Sequence, residues 1–328
     1  MKILVLDNRQ IRELLPMTEC IELMADALSA LARGEVYQPL RTIIRPPEAR
    51  GLLGLMPAYR AGDEGAFGLK AICVFPENPA KGKDAHQGAV MLFSRDTGEL
   101  LALMNASEIT AIRTAAVSAV ATRLLAREDA RHLGIIGAGV QARTHLAALA
   151  AVRPIKRARV ACRNIEHAEQ FAREMQPEFS FPIKPVRTNE EAVRDADVIV
   201  TATSSLEPVI NKDWISPGAH VNAIGTHSPN SREIDSATMA AARIFTDRRE
   251  SALNEAGDYL LAAKEGLVTA ESILGEIGEL LIGTKPGRTS STDITLFKSL
   301  GLAIEDVVSA DYLYRKAKAQ QAGTWIDF

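Results

Sequence analysis

Cysteine, histidine and aromatic side chains are scarce in this chain: three, six and 5% of 328 residues. Cys20, Cys73 and Cys162 have neither the spacing of metal ligands nor the density of a disulfide framework, which fits a reducing, cytoplasmic compartment. The histidines form no HExxH or paired pattern, so no metal is expected. The formal charge is only −3, which gives no electrostatic case for nucleic acid or an acidic membrane as partner. No apolar run approaches the roughly 18 residues that span a bilayer. The opening MKILVLDNRQ turns to charge too early for a secretory leader. Repeats and low-complexity segments are also missing.

What is present is ordinary for a globular protein: 47% hydrophobic and 24% charged residues. A chain of this length holds about two domains at roughly 100–200 residues each. The most informative stretch is Arg131 to Leu146, RHLGIIGAGVQARTHL. An apolar run leads into Gly137-Ala138-Gly139-Val140-Gln141-Ala142 and then into a helix-compatible segment, the strand–turn–helix that opens a dinucleotide-binding fold. Gly137 permits the tight turn and Gly139 lets backbone approach a pyrophosphate. Ala142 replaces the third glycine and still allows close helix–strand packing. Backbone N–H groups and the helix dipole then favour the anion.

Upstream of this turn the pattern is different. Residues 3–6 are a strand candidate, and Thr18 is a candidate N-cap for a helix with Ile21, Met24 and Leu28 on one face. Pro39–Ile44, Leu52–Met56, Gly68–Phe75, Gly88–Phe93 and Leu100–Met104 read as strands, the last two joined by the Arg95–Gly98 turn. Ser107 is a candidate cap for a helix running to Leu125. Beyond the glycine turn, strands at Ala158–Ala161, Asp197–Ala202, His220–Ile224 and Ala242–Phe245 alternate with helices, which predicts a parallel sheet covered on both faces. Leu260–Ile282 reads as polar helical material, Thr292–Leu296 as a last short strand and Gly301–Lys318 as a terminal helix. Asp247–Glu250 reads as a solvated charged turn.

The end of the second strand of the nucleotide-binding half selects the cofactor. NAD enzymes place an acid there, about 20 residues beyond the glycines, to hold the ribose hydroxyls. Here Cys162-Arg163-Asn164 stands at that place, with no acid. Arg163 can pair with a 2′-phosphate, so NADP(H) is favoured, with NAD(H) as the alternative.

Six segments stand in order along the chain: Gly68-Leu69-Lys70, Ala111–Ala116 (AIRTAA), GIIGAGVQA, VNAIGTHSPNSREID, Glu255–Asp258 (EAGD) and Thr295–Asp306 (TLFKSLGLAIED). Together they resemble the ornithine cyclodeaminase/mu-crystallin family nearly end to end. The resemblance implies an α/β protein with a Rossmann-type, doubly wound parallel sheet at 119–303. It also implies an α+β substrate-binding and dimerisation domain at 1–118 and 304–328, and a homodimer. It implies substrate contacts from Lys70, Arg113 and Arg41: the arginines on a carboxylate, Lys70 near the reacting carbon–nitrogen centre, and Arg113 also beside the cofactor. A lone lysine is ordinarily a solvated edge group. The resemblance further implies cofactor contacts from Val140 and Gln141 at the pyrophosphate turn, from Thr203, from Asn222, Ala223, Ile224 and Gly225 near the nicotinamide, and from Ser299.

Two departures narrow the chemistry. Cyclodeaminases carry an acid before Leu-Met-Pro, where this chain has Gly54, and an aspartate after the Ala-Ile-Gly strand, where it has His227. His227 is either a loop histidine or a proton-relay group. With both acids replaced, the expected activity is NAD(P)H-dependent reduction of the C=N bond of a small α-imino acid or cyclic ketimine carboxylate, reversible as amino-acid oxidation. Lys70, Arg113 and His227 are the candidate catalytic residues. The alternatives are a cyclodeaminase-type lyase making proline and ammonia from ornithine, and a non-catalytic NADPH-binding protein of the crystallin kind.

Overall fold

The structure is a computed structural model that describes residues 2–62 and 65–328. The chain begins with β1 (Lys2–Leu6), α1 (Asn8–Leu14), α2 (Met17–Ala32), β2 (Val36–Tyr37), β3 (Thr42–Ile44), β4 (Leu52–Arg60), β5 (Ala66–Val74), β6 (His86–Phe93) and β7 (Leu100–Asn105). The long helix α3 (Ala106–Leu125) leads to β8 (His132–Ile136), α4 (Val140–Val152), β9 (Arg157–Ala161), α5 (Ile165–Met175), β10 (Ile183–Pro185), α6 (Asn189–Val193) and β11 (Val198–Thr201). Then come β12 (His220–Ala223), α7 (Ser236–Ala241), β13 (Arg243–Thr246), α8 (Arg249–Glu255), α9 (Gly257–Lys264), β14 (Ile273–Glu276), α10 (Ile277–Leu281) and β15 (Thr295–Lys298). The chain closes with α11 (Ala303–Gln320) and β16 (Thr324–Asp327).

Two compact units result. One comprises the residues through Arg113 together with Gly301–Phe328, and the other is Thr114–Leu300. In the first, the sheet runs β16-β1-β7-β6-β5-β4-β2, with β3 also on β4. Its pairs are antiparallel except β1 with β7. Alternation places Ala66, Gly68, Lys70 and Ile72 of β5 on the buried face, against which α11 packs. Gly68 has Val307 of α11 directly over its α-carbon.

In the second unit all pairs are parallel, in the order β10-β9-β8-β11-β12-β15-β13-β14. Such strands are buried on both faces and read as continuous apolar runs, as Val198–Thr201 does. This is the doubly wound α/β class with its accompanying α+β unit, as the sequence led one to expect.

Several local expectations give way to longer-range partners. Helix α2 starts at Met17 behind Pro16 with no side-chain cap, so Thr18 lies inside it. At α3 the cap is Asn105, whose Oδ1 accepts from Glu108 N at 3.0 Å, while the Ser107 hydroxyl donates to the His86 carbonyl. Only Thr42–Ile44 of the Pro39–Ile44 run is strand, because β3 pairs β4 over just three residues. The 260–282 stretch is not wholly helical: Ile273–Glu276 forms β14, paired with β13. The strand expected at Thr292–Leu296 lies at Thr295–Lys298 and sits inside the sheet, between β12 and β13. Asp247 is fully buried and accepts from Leu300 N at 2.6 Å, so 247–250 is no solvated turn. No helix of the described residues is long and apolar enough to cross a membrane.

Candidate active site

Within the first unit, Lys70 is only 2% exposed, which removes the solvated-edge reading. Its Nζ lies 2.6 Å from Asp306 Oδ2 and 3.5 Å from the Thr110 hydroxyl. Arg113, also buried, donates from Nη1 to Glu305 Oε2 at 2.7 Å and from Nε to Asp306 Oδ1 at 3.2 Å. Glu305 and Asp306 occupy the first turn of α11, where unpaired N–H groups and the helix dipole favour carboxylates. Arg41 sits just before β3 and donates from Nη2 to the Gly301 carbonyl at 2.8 Å. Gly301 has φ +75°, and the Arg113 guanidinium lies across its α-carbon. Arg41, Lys70 and Arg113 are therefore brought together around the start of α11.

The cluster gathers the cations of Arg41, Lys70 and Arg113 with the carboxylates of Glu305 and Asp306. Burial pushes the Lys70 ammonium down from its ordinary range; Asp306 opposes this, Arg113 adds to it, and the outcome is about 8. A lysine poised there holds or releases a proton near neutral pH. Glu305 and Asp306 escaped the sequence reading as site residues. Their signal was present, as the last two letters of LAIED, but an ion pair spanning 193 residues has no local periodicity to betray it.

In the second unit the candidate cofactor residues all fall at the carboxyl ends of five neighbouring strands, β9-β8-β11-β12-β15. That is where open α/β sheets bind ligands, at the point where strand order reverses. Gly137 ends β8 with φ +112°, and a Cβ there would collide with the Ala202 carbonyl. Nothing lies within 4 Å of a Cβ placed on Gly139, and Val140 beside it is 59% exposed at the start of α4. This open, donor-rich helix start fits a pyrophosphate. Gln141 belongs to the first turn, and Ala142 is fully buried.

At the end of β9, Arg163 is exposed, and Asn164 caps α5 by accepting from Glu166 N at 3.0 Å. Thr203 follows β11, and both its N–H and its hydroxyl donate to Glu233 Oε1 at 2.7 Å. Asn222, Ala223 and Ile224 are buried, Asn222 donating to the Thr122 hydroxyl at 3.0 Å, whereas Gly225 is half-buried. Ser299 is buried after β15 and donates from N to the Ala223 carbonyl at 3.1 Å. His227 stands exposed on the loop after β12, in the second unit, whereas Lys70 belongs to the first. Among the described residues no group of three His, Cys, Asp or Glu side chains is placed to hold a metal.

A Rossmann-type dinucleotide fold joined in one chain to a unit with a buried lysine–arginine–carboxylate cluster defines a class: nucleotide-binding proteins with a second unit that buries ionisable side chains. The sequence profile of the ornithine cyclodeaminase/mu-crystallin family matches residues 1–321, and the chain belongs to that family. It is 39% identical over 326 residues to a Δ1-pyrroline-2-carboxylate reductase of Bacillus cereus, covering 99% of this chain and all of that one. The structure of the Thermococcus litoralis Δ1-pyrroline-2-carboxylate reductase in complex with NADH and L-proline is similar, with TM-score 0.96 and 40% identity over 98% of this chain and 99% of that one. An archaeal alanine dehydrogenase dimer with bound NAD is also similar, with TM-score 0.93 and 33% identity over the whole of both chains.

Proposed function

We propose that the chain reduces the C=N bond of a small cyclic α-imino acid of the pyrroline-2-carboxylate kind, with the reverse direction oxidising an amino acid. The observation that carries this reading is the buried Lys70–Asp306–Arg113–Glu305 cluster, in a chain so similar to reductases of that substrate class. The residues at Gly137–Gln141 fit a nicotinamide dinucleotide, which when bound supplies the hydride. Arg41 and Arg113 hold the substrate carboxylate and so orient the carbon beside it. Lys70 in its ammonium form donates a proton to the substrate nitrogen and recovers one from solvent. One hydride on carbon and one proton on nitrogen complete the amine. Gly54 and His227, standing where cyclodeaminases carry acids, argue for net reduction over internal recycling of the cofactor. The domain roles follow: residues 1–118 and 304–328 bind substrate and dimerise, and residues 119–303 hold the dinucleotide.

For the cofactor, the NADH and NAD bound by the similar structures support use of NAD(H). A preference for NADP(H) is our further reading. It is supported by Arg163 and by Arg187 two residues beyond β10, both exposed at adjacent strand ends. A kinetic panel following oxidation of both reduced dinucleotides with pyrroline and piperideine carboxylates tests both proposals. Turnover on these imines is expected, and Arg163→Ala should lower kcat/KM for NADPH by about tenfold or more while leaving NADH within a factor of about two, as expected when a charged hydrogen bond is lost. Ammonia and proline released from ornithine without net cofactor change would replace this reading with a lyase. An unchanged preference in Arg163→Ala would remove the 2′-phosphate role.

A homodimer is supported by the outward face of the first unit's sheet. Leu55, Tyr59, Phe67, Leu69, Met91 and Phe93 share that face on adjoining strands, with Phe67 47% exposed. A continuous apolar face of this kind marks an interface. Light scattering is expected to give the mass of two chains, and Phe67→Glu the mass of one. The scarce, scattered cysteines support a cytoplasmic location.

A further inference from the structure

Three charged side chains of the second unit have no part in the chemistry above, yet they are almost wholly buried: Glu233 at 0%, Asp258 at 0% and Lys298 at 1% exposure. Their partners are all at strand ends or in the loop that follows β12. Glu233 Oε1 accepts from the N–H and hydroxyl of Thr203, after β11, and its Oε2 accepts from Gly225 N at 2.6 Å and the Thr201 hydroxyl at 3.0 Å. One carboxylate thus ties the end of β11 to the end of β12. Asp258, at the start of α9, accepts from Glu233 N at 2.7 Å and Ile234 N at 2.9 Å. Its second oxygen pairs with Lys298 Nζ at 2.8 Å and accepts from the Thr226 hydroxyl at 3.1 Å. Lys298, the last residue of β15, also donates to the Thr226 carbonyl at 2.8 Å. Beside Asp258, the α-carbon of Gly257 touches the Ser228 and Ser231 carbonyls so closely that no side chain fits.

The loop from Gly225 to Ser231 is therefore tied at Gly225 and Thr226 and closely approached at Ser228 and Ser231. Thr226 is buried by these contacts, while its neighbour His227 stands exposed. Stability alone does not explain ionic groups here, since well-packed apolar residues serve a core at least as well as a buried ion pair. What charged, directional contacts add is a single backbone geometry. Burial pushes the Asp258 carboxyl up, yet Lys298 and the two backbone donors together hold it below its ordinary range, so Asp258 remains a carboxylate.

We infer that Glu233, Asp258 and Lys298 are positioning residues for hydride transfer, fixing the Gly225–Ser231 loop so that it receives the nicotinamide end of the cofactor and presents His227. The inference rests on the proposed placement of the nicotinamide at Gly225. Asp258 and Lys298 have their bonds among the described residues on the loop side, whereas Glu233 also holds Thr203, which lies against Gly137, so the two ends of the dinucleotide are best separated by Lys298→Met and Thr226→Val.

The test uses the full chain carrying Glu233→Gln, Lys298→Met or Thr226→Val, with Thr226→Ser as the conservative rescue. ADP-ribose, which lacks the nicotinamide, reports the pyrophosphate end by calorimetry. Fluorescence of the bound reduced dinucleotide reports the nicotinamide end, and steady-state kinetics report turnover. ADP-ribose affinity is expected to stay within about threefold while kcat falls by about tenfold or more and the bound-nicotinamide fluorescence changes, as a misplacement near 1 Å at the reacting end implies. Thr226→Ser should restore both. Unchanged kcat and fluorescence in folded Glu233→Gln or Lys298→Met would overturn the inference, as would ADP-ribose affinity falling in step with turnover. Should the two charged variants not fold, Thr226→Val, which removes one hydroxyl, decides by the same readouts. Should the wild-type chain reduce no imino acid, the functional reading fails, and the contrast between ADP-ribose and nicotinamide fluorescence still decides the positioning role.

Discussion

Lys70→Met is expected to lower imine reduction by roughly 10²–10⁴-fold, the usual contribution of a placed proton donor, while reduced-cofactor binding is retained. Methionine keeps most of the length of the side chain and removes its charge. Asp306 keeps Arg113 as a partner at 3.2 Å, so the cluster loses one cation without stranding its carboxylate. The pH profile carries a second, independent signature. With Lys70 pushed down to about 8, its ammonium form prevails below that pH and its amine above it. Reduction needs the ammonium, so its rate should be level at lower pH and fall by about tenfold per unit above 8. Oxidation of the amino acid needs the amine, so its rate should climb toward 8 and then level. The variant should lose both limbs. Stopped-flow and steady-state rates across that range, with a fluorescence titration of the cofactor, make the measurement. Unchanged turnover in Lys70→Met would take the residue out of the chemistry.

Gly301→Ala is expected to cost roughly 3 kcal/mol or more of stability and to lower kcat/KM by about 10²-fold, because one methyl disturbs three things together. A φ of +75° is itself unfavourable for an L-residue, by roughly 1–2 kcal/mol. The new Cβ would stand 2.5 Å from Arg113 Nη1 and must displace the guanidinium. Displacement lengthens the contacts to Glu305 and Asp306, both fully buried, and an uncompensated buried charge is costly. The same backbone position gives its carbonyl to Arg41, so both candidate carboxylate-binding arginines shift. Gly34→Ala is the control: φ is +77° there and nothing lies within 4 Å, so it carries the backbone strain without the displacement. Equal losses in the two variants, measured by denaturant unfolding and by substrate KM, would show that strain alone is at work.

Much of the parallel sheet was legible because strands such as β8 and β11 are apolar runs and because Gly137-Ala138-Gly139 stands between such a run and a helix. Lys70, Arg113 and Arg41 were singled out through motif likeness alone, and no pattern of the surrounding residues distinguished them from solvated side chains. What stayed hidden was whatever depends on a partner distant in sequence. Strand β16 looks like tail sequence until β1 supplies its ladder, with Lys2 opposite Asp327. Strand β14 follows a helix and precedes another, and only pairing with β13 makes it extended. Asp247, Glu233 and Asp258 look like surface acids in polar runs, yet each is fully buried. Charged letters forecast exposure well on average, and buried ionic networks are where that average fails.

The first unit is assembled from both ends of the chain, with Thr114–Leu300 inserted between its parts. During synthesis, therefore, Lys70 and Arg113 emerge long before the carboxylates that neutralise them, with 193 residues separating Arg113 from Asp306. Until α11 is made, β5 and α3 carry two cations that cannot be buried without counter-charges, and both must remain hydrated. The middle unit meets no such delay, because all of its strands are contiguous in sequence and it can fold as a block. Completion of the first unit is thus postponed until α11 has been made. A nascent chain then has its parallel sheet before Lys70 and Arg113 have their counter-charges.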